Sequence, residues 1–455
     1  MSEHRSSHNS AMDDFMNGLV RRNPGQDEFH QAVHEVACDL LPFIDEHPHY
    51  QGAMLLERMT EPDRIVSFRV CWTDDDSQVR VHRGWRVQFS NAIGPYKGGL
   101  RFDPDVTESV LKFLGFEQCF KNALTGLPIG GAKGGANFDP KAHSDTEIMR
   151  FCQSLMNTLV HYIGPNQDIP AGDIGVGQRE IGYLFGQYRS LKREFVGALT
   201  GKGVSFGGSE LRTEATGFGV LYFVLDMVER LDRDLDGARI AISGAGNVAL
   251  RAAEKAIELG AKVVTLSDSG GLLHVAGGLD DDRLDAVRRC KDRRDGSLEE
   301  AAERIDADYH EDRKPWGVDC DIALPCATQN ELDGDDAKRL LDNGCWLVAE
   351  GANMPCTAEA VDAFQASDQV SYAPGKAANA GGVAVSGLER AQNAQHLVWS
   401  RDRVDEELKR IMREIHDRCV RHGGNGDGRP VNYRKGANIA GFEKLADAML
   451  AQGVL

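Results

Sequence analysis

Apolar residues recur at helical spacing between about Asp13 and Thr60, where Phe29, Val33, Val36, Leu40 and Phe43 would line one helix face. The rhythm then changes. Ile65-Val-Ser-Phe-Arg-Val-Cys-Trp72 and Val79-Arg-Val-His-Arg-Gly-Trp-Arg-Val-Gln-Phe89 alternate or nearly so, and the turn-rich acidic cluster Thr73-Asp-Asp-Asp-Ser77 separates them. This pattern predicts a β-hairpin. Helical periodicity returns from Ser109 to Asn122, Gly130 to Asn137 reads as a loop, and a long helix is predicted from about Ser144 to Ile163, stopped by Gly164-Pro165. Ile169 to Gly177 reads as another glycine-rich loop, this one carrying the carboxylate of Asp173.

The second half has a different character. Arg239-Ile-Ala-Ile-Ser243 is a short apolar strand that runs directly into Gly244-Ala-Gly246-Asn247-Val-Ala249 and a helix through Leu259. Lys262-Val-Val-Thr-Leu266 is the next strand, and Asp268 and Ser269 stand at its end. Strand, Gly-x-Gly-x-x-Ala turn, helix and a second strand ending in an acid form a dinucleotide-binding βαβ unit. The two glycines let the pyrophosphate approach the backbone, and the helix N-terminus offers unpaired N–H groups to it. Leu279 to Lys314 is dense in charge and reads as exposed helices. Further strands are predicted at Asp321–Leu324 and Trp346–Ala349, each followed by a polar loop, and a glycine-rich segment from Pro374 to Gly382 leads into a helix from about Val385.

A chain of 455 residues is too long for one simple core, so two domains are expected. Its 41% hydrophobic and 27% charged content is that of an ordinary soluble globular protein. The polar start, Met1 to Ser10, lacks an apolar signal core and reads as a short disordered lead, so a cytoplasmic location is expected. Ten scattered cysteines without a CxxC pair read as free, mostly buried thiols in a reducing compartment. His30 and His34 stand four apart on a helix with no third ligand pattern, so no metal site is expected. The formal charge of −18 argues against nucleic acid or an anionic membrane as partner. An anionic small molecule would then need a local positive pocket.

Three lysines supply one. Lys97, Lys121 and Lys133 lie within a single glycine-rich stretch that ends in Gly130-Gly-Ala-Lys133-Gly-Gly135. Lysine seldom sits among small apolar residues unless it is used. Burial and neighbouring positive charge would lower the pKa of Lys133 towards a value useful in carbonyl chemistry. Lys97 and Lys121 would meanwhile meet carboxylates. The competing reading is a surface loop with solvated lysines.

Assembled, these segments resemble the hexameric glutamate dehydrogenases of bacteria and lower eukaryotes. The resemblance rests on Pro95-Tyr-Lys-Gly-Gly99-Leu-Arg-Phe102, Phe113-Leu-Gly-Phe-Glu-Gln118, Lys121-Asn-Ala, the Lys133 segment, Pro170-Ala-Gly-Asp173-Ile-Gly-Val-Gly177 and Gly201-Lys-Gly-Val-Ser-Phe-Gly-Gly208. It continues through Ala215-Thr-Gly217, Asn330-Glu331, Glu350-Gly-Ala-Asn353 and Asn379-Ala-Gly-Gly382.

The resemblance implies Lys133 as the catalytic lysine and Asp173 as the proton shuttle to the amine nitrogen. Gln118, Lys121 and the backbone of Gly172 would meet the α-carboxylate side of the substrate. Lys97 and Ser386 would hold the distal carboxylate, with Asn379 lining the same pocket. Thr216 and Asn247 would touch the cofactor, together with Gly244, Gly246 and Asp268. Related leucine, valine and phenylalanine dehydrogenases carry apolar residues in place of Lys97 and Ser386, so 2-oxoglutarate, L-glutamate and ammonium are the expected substrates. Asp268 alone would favour NAD. The chain most resembles the NADP-using branch, in which a serine, here Ser269, follows this aspartate, and Lys141, Lys291 and Arg294 are candidates to neutralise the 2′-phosphate. NADP is therefore expected, with an NAD-dependent catabolic enzyme as the alternative and a catalytically dead binding relative as a rival of another class. The implied architecture is two α/β domains with a cleft between them: a substrate and oligomerisation domain over 1–202, a Rossmann-like cofactor domain over 203–427, and a C-terminal helix in 428–455 packing back on the first. A homohexamer is implied as well.

Overall fold

The alternating stretches pair as the pattern predicts. In the computed structural model, which describes residues 2–293, 296–424 and 430–454, the described residues form two compact units. The first takes those within Met1–Arg212, Val385–Val404 and Asn438–Leu455, and the second those within Thr213–Ala384 and Asp405–Ala437. Lys202 and the segment after it up to Arg212 thus lie in the first unit.

Helices α1 (Ser2–Arg22), α2 (Asp27–Glu46) and α3 (Leu55–Met59) open the first unit. The lead expected to be disordered is helical, because no proline interrupts it before Pro24. In α2, Phe29, Val33, Val36 and Leu40 are buried, as their spacing predicts. Strands β1 (Arg64–Thr73) and β2 (Val79–Ser90) form the hairpin, registered from Arg64 opposite Gln88 to Thr73 opposite Val79. There follow β3 (Tyr96–Phe102), α4 (Glu108–Leu124), β4 (Gly131–Ala136), α5 (Asp145–Leu159), β5 (Asp168–Gly172) and α6 (Gln178–Lys192). The sheet order is β1-β2-β4-β3-β5, with β3 parallel to both β4 and β5.

Two segments expected to be loops are therefore strands, or begin as strands. The glycines of β4 are there for packing: a Cβ built on Gly131 would stand 2.2 Å from Cys119 Sγ, and one on Gly98 of β3 would stand 1.6 Å from the Ala132 carbonyl oxygen. Phe102, Phe138, Phe151, Leu155, Leu184 and Tyr188 belong to the apolar core that α5 and α6 bury with the sheet. Across the sheet, Arg86 and Asp168 form a fully buried ion pair. Gln88 Nε2 also donates to Asp168 Oδ2 (2.8 Å), and Arg86 Nη1 donates to the Gly98 carbonyl (3.0 Å). Such a satisfied network fixes β5 against β2 and β3.

The second unit contains α7 (Ala215–Arg230), β6 (Arg239–Ile242), α8 (Asn247–Glu258), β7 (Lys262–Asp268), β8 (Gly271–His274), α9 (Asp281–Lys291), α10 (Leu298–Ile305) and β9 (Asp308–Glu311). It continues with β10 (Ile322–Leu324), α11 (Gly334–Asp342), β11 (Leu347–Ala349), α12 (Ala358–Ala366), β12 (Ser371–Ala373) and α13 (Gly375–Ala378). The chain ends with α14 (Gly381–Gln395), α15 (Arg401–Gly423) and α16 (Tyr433–Gln452). The sheet order is β12-β11-β10-β6-β7-β8-β9, parallel from β12 to β7 and antiparallel at β8 and β9. The order reverses at β6, the switch point of a doubly wound sheet.

The charged stretch read as exposed helices proves amphipathic. Leu284, Val287, Cys290, Leu298, Ala301 and Ile305 are buried on α9 and α10, and the stretch ends in β9. All ten cysteines are free; Cys38 and Cys71 are exposed and the other eight buried. Among the described residues, no helix is long and apolar enough to cross a membrane.

Candidate active site

Lys133 lies on β4, and Asp173 follows directly on β5. Lys133 Nζ donates to Asp173 Oδ1 at 2.6 Å, and Arg101 Nε, from β3, donates to Asp173 Oδ2 at 2.7 Å. Lys133 is 3% exposed. Burial pulls its pKa below the ordinary lysine value; the Asp173 charge opposes this and the Arg101 guanidinium adds to it. Burial works against ionising Asp173, but the two cations outweigh it and hold the carboxyl well below the usual range. The arrangement is a buried amine beside a carboxylate that stays charged, able to pass protons at one point in space.

Lys97, also on β3, is 1% exposed, and its Nζ donates to Thr200 Oγ1 at 2.7 Å. Burial lowers its pKa strongly, and the Arg212 guanidinium lowers it further. Arg212 itself is pushed down by burial, and its Nε is a buried donor with no partner. Glu389 on α14, fully buried, takes Lys202 Nζ at 2.6 Å and the Gly201 N–H at 2.8 Å. It is also an opposing charge for Lys97 and Arg212. Ser386, 1% exposed, stands three residues before Glu389 and so shares its helix face. Lys97, Arg212 and Lys202 face a single internal carboxylate, that of Glu389, so this cluster carries excess positive charge that an anionic ligand group would offset.

Gln118 and Lys121 are half-buried on α4. Gln118 Nε2 donates to Asn122 Oδ1 at 2.7 Å, and Asn122 Nδ2 donates to the Lys97 carbonyl at 3.1 Å, which ties this face of α4 to β3. Gly172 ends β5, opposite Leu100 and next to Asp173. Sequence reasoning missed Arg101, Thr200, Arg212 and Glu389. Arg101 and Arg212 lay inside or beside recognised motifs, and the signal was a cation where only lysines had been weighed.

In the second unit, Gly244 follows β6 with φ +87°, and a Cβ there would stand 3.1 Å from Ala327 Cα. Gly246 caps α8 without any side-chain cap bond, and a Cβ there would meet nothing within 4 Å. The first turn of α8 therefore offers free N–H groups to open space. Asn247 Nδ2 donates to the Thr213 carbonyl at 2.6 Å, drawing the start of α8 to the residues just before α7, where Thr216 lies. Asn379 belongs to this unit, and its Nδ2 holds the loop after β11 through the Gly351 (3.1 Å) and Ala352 (2.9 Å) carbonyls. Its Oδ1 is buried without a partner, an acceptor waiting for a donor. These features fit a dinucleotide.

Asp268 ends β7 with its carboxylate engaged. Lys291 Nζ lies 3.0 Å from Oδ2, the Leu298 N–H donates to the same oxygen at 3.2 Å, and the Gly270 N–H donates to Oδ1 at 3.0 Å. Burial opposes its ionisation, but Lys291 and the two N–H groups outweigh this and hold its pKa low. Ser269 follows Asp268 at the turn into β8, Lys141 is an exposed residue of the first unit, and Arg294 lies outside the described residues.

A parallel sheet with a glycine-turned switch point in one unit, and a buried Lys–Asp pair in the other, defines a pyridine-nucleotide oxidoreductase. Residues 207–453 match the family model Glutamate/Leucine/Phenylalanine/Valine dehydrogenase, and residues 62–190 match that of the Glu/Leu/Phe/Val dehydrogenase dimerisation domain. The chain belongs to this family. It is 54% identical to the NADP-specific glutamate dehydrogenase of Escherichia coli over 98% of this chain and 99% of that one. It is 53% identical to the NAD-specific glutamate dehydrogenase of Bacteroides fragilis over 97% and 99% of the two chains. Among solved structures, Plasmodium falciparum glutamate dehydrogenase superposes with a TM-score of 0.96 at 48% identity, covering 100% of this chain and 97% of that one.

Proposed function

We propose that the protein is an NADP-dependent glutamate dehydrogenase, which reversibly converts 2-oxoglutarate and ammonia to L-glutamate and serves ammonium assimilation. The carrying observation is the pairing of Lys133 with Asp173 and Arg101, in a unit that also buries the Lys97–Arg212 pocket. Lys97 and Ser386 take the distal carboxylate, whose charge offsets the excess positive charge around Lys97. Gln118, Lys121 and the Gly172 backbone take the α-carboxylate side. Ammonia adds to the C2 ketone, and Lys133 protonates the departing oxygen so that water leaves. Asp173 carries the proton between the amine nitrogen and its surroundings. NADPH supplies the hydride that reduces the imine carbon.

In the second unit, the Gly244–Gly246 turn and the start of α8 accept the pyrophosphate, with Thr216 and Asn247 as further contacts. Lys291 offsets the charge of Asp268, which reduces the repulsion a 2′-phosphate would meet there, and Ser269 adds a hydroxyl donor. We further propose a cytoplasmic homohexamer; the match to the family's dimerisation domain supports assembly.

The test is the initial rate of 2-oxoglutarate amination with NADPH and with NADH. A preference for NADH would replace this reading with the NAD-dependent catabolic one, and no turnover with either would overturn it. Lys133→Ala should lower kcat by at least roughly a hundredfold while dinucleotide binding survives. Unchanged kcat in that variant would remove Lys133 from the mechanism.

A further inference from the structure

Away from these residues, the far end of the second unit's sheet carries a set of metal-type donors. His274 ends β8, while Asp308 and His310 lie on β9, the outermost strand. The antiparallel register sets His274 directly opposite Asp308, and His310, two residues on, shares their face. One donor atom from each side chain lies within 4.8 Å of the others. His274 Nδ1 stands 3.9 Å from Asp308 Oδ2, and the two imidazole centroids are 6.4 Å apart at 34°. Among the described residues, this is the one group of three such side chains with its donors gathered in this way.

We propose that His274, Asp308 and His310 form a binding site for a divalent transition metal of the zinc type, with water completing its coordination. Two imidazoles and one carboxylate suit Zn2+, Co2+ or Ni2+, whereas Mg2+ and Ca2+ take oxygen ligands. Donor atoms around a tetrahedral zinc, with bonds of about 2.0–2.2 Å, stand roughly 3–3.5 Å apart. Closing from 4.8 Å needs only side-chain rotation, which the exposure of Asp308 (74%) and His274 (24%) permits. The paired strands fix the Cα positions beforehand, so little backbone order is lost on binding. The ion would join β9 to β8 across the ladder. With 33 residues between His274 and Asp308, no ligand spacing shows in the sequence.

The test uses the purified full-length protein after EDTA treatment and dialysis, titrated calorimetrically with ZnCl2, with Tm followed in parallel. His310→Ala, Asp308→Asn and a Cys38→Ser/Cys71→Ser variant are run alongside. We expect one Zn2+ per chain and a raised Tm, both retained when the exposed thiols are removed and both lost in His310→Ala and Asp308→Asn. Wild-type amination rates in those two variants certify that they are folded. MgCl2 in place of ZnCl2 should give neither signal. Absence of Zn2+ binding, binding that survives His310→Ala, or binding lost with the thiols would each overturn the site.

Discussion

Arg101 shows how one side chain sets the state of two others. Its guanidinium takes one oxygen of Asp173 and leaves the other to Lys133, while its charge helps keep the Lys133 pKa low. Without it, Lys133 would hold its proton more tightly. Arg101→Met should therefore move the pH dependence of glutamate deamination towards higher pH and lower kcat at neutral pH by roughly ten- to a hundredfold, with Arg101→Lys recovering part of the loss. An unshifted profile in the Met variant would make Arg101 merely structural. The lysines themselves were legible, because Lys133 between glycine pairs is a local anomaly and Lys97 and Lys121 share its glycine-rich stretch. Their partners were not. Arg101 is 72 residues from Asp173, and Thr200 is 103 from Lys97, so only folding reveals the pairs.

At the scale of elements, the hairpin of β1 and β2 and the unit from β6 to β7 could be read directly, because period, turn and cap lie close together in the chain. Strand β4 could not. A run of glycines has the composition of a loop, and what makes it a strand is the crowding of β3 and α4 on either side. Gly98 measures that crowding, since a Cβ there would overlap the Ala132 carbonyl. Gly98→Ala should destabilise the first unit by about 3 kcal/mol or more, as overpacking does when neither backbone can yield. Gly186, inside α6, is the contrast: a Cβ there would meet nothing within 4 Å. Gly186→Ala should stabilise by about 0.5–1 kcal/mol. Chemical denaturation of both variants checks the pair, and equal effects would refute the distinction. Strands β8 and β9 escaped notice because they are short, and β9 is polar, with no run of apolar residues to mark it.

For the molecule as a whole, Glu350 makes stability depend on pH. It is 3% exposed after β11, accepting from Tyr372 Oη at 2.8 Å and from the Gly375 N–H at 2.7 Å. Burial, only partly offset by these bonds, pushes its pKa from 4.5 up to about 7. The native state then binds more protons than the unfolded state between those values, so the contribution of Glu350 to stability declines as pH rises through that window. At about 1.4 kcal/mol per unit, the full swing is roughly 3 kcal/mol. Glu350→Gln should flatten that part of the stability–pH curve measured by urea unfolding, and a curve unchanged in shape would exclude Glu350 as its source. The distribution of thiols has a practical consequence. Burial raises the pKa of Cys419 to about 12 and pushes Cys119, Cys152 and Cys326 upward too, so these groups stay protonated and unreactive while the chain is folded. An alkylating reagent should therefore label at most the two exposed cysteines of the native protein and all ten once it opens. The mass of each alkylated chain thus records whether that chain has been open.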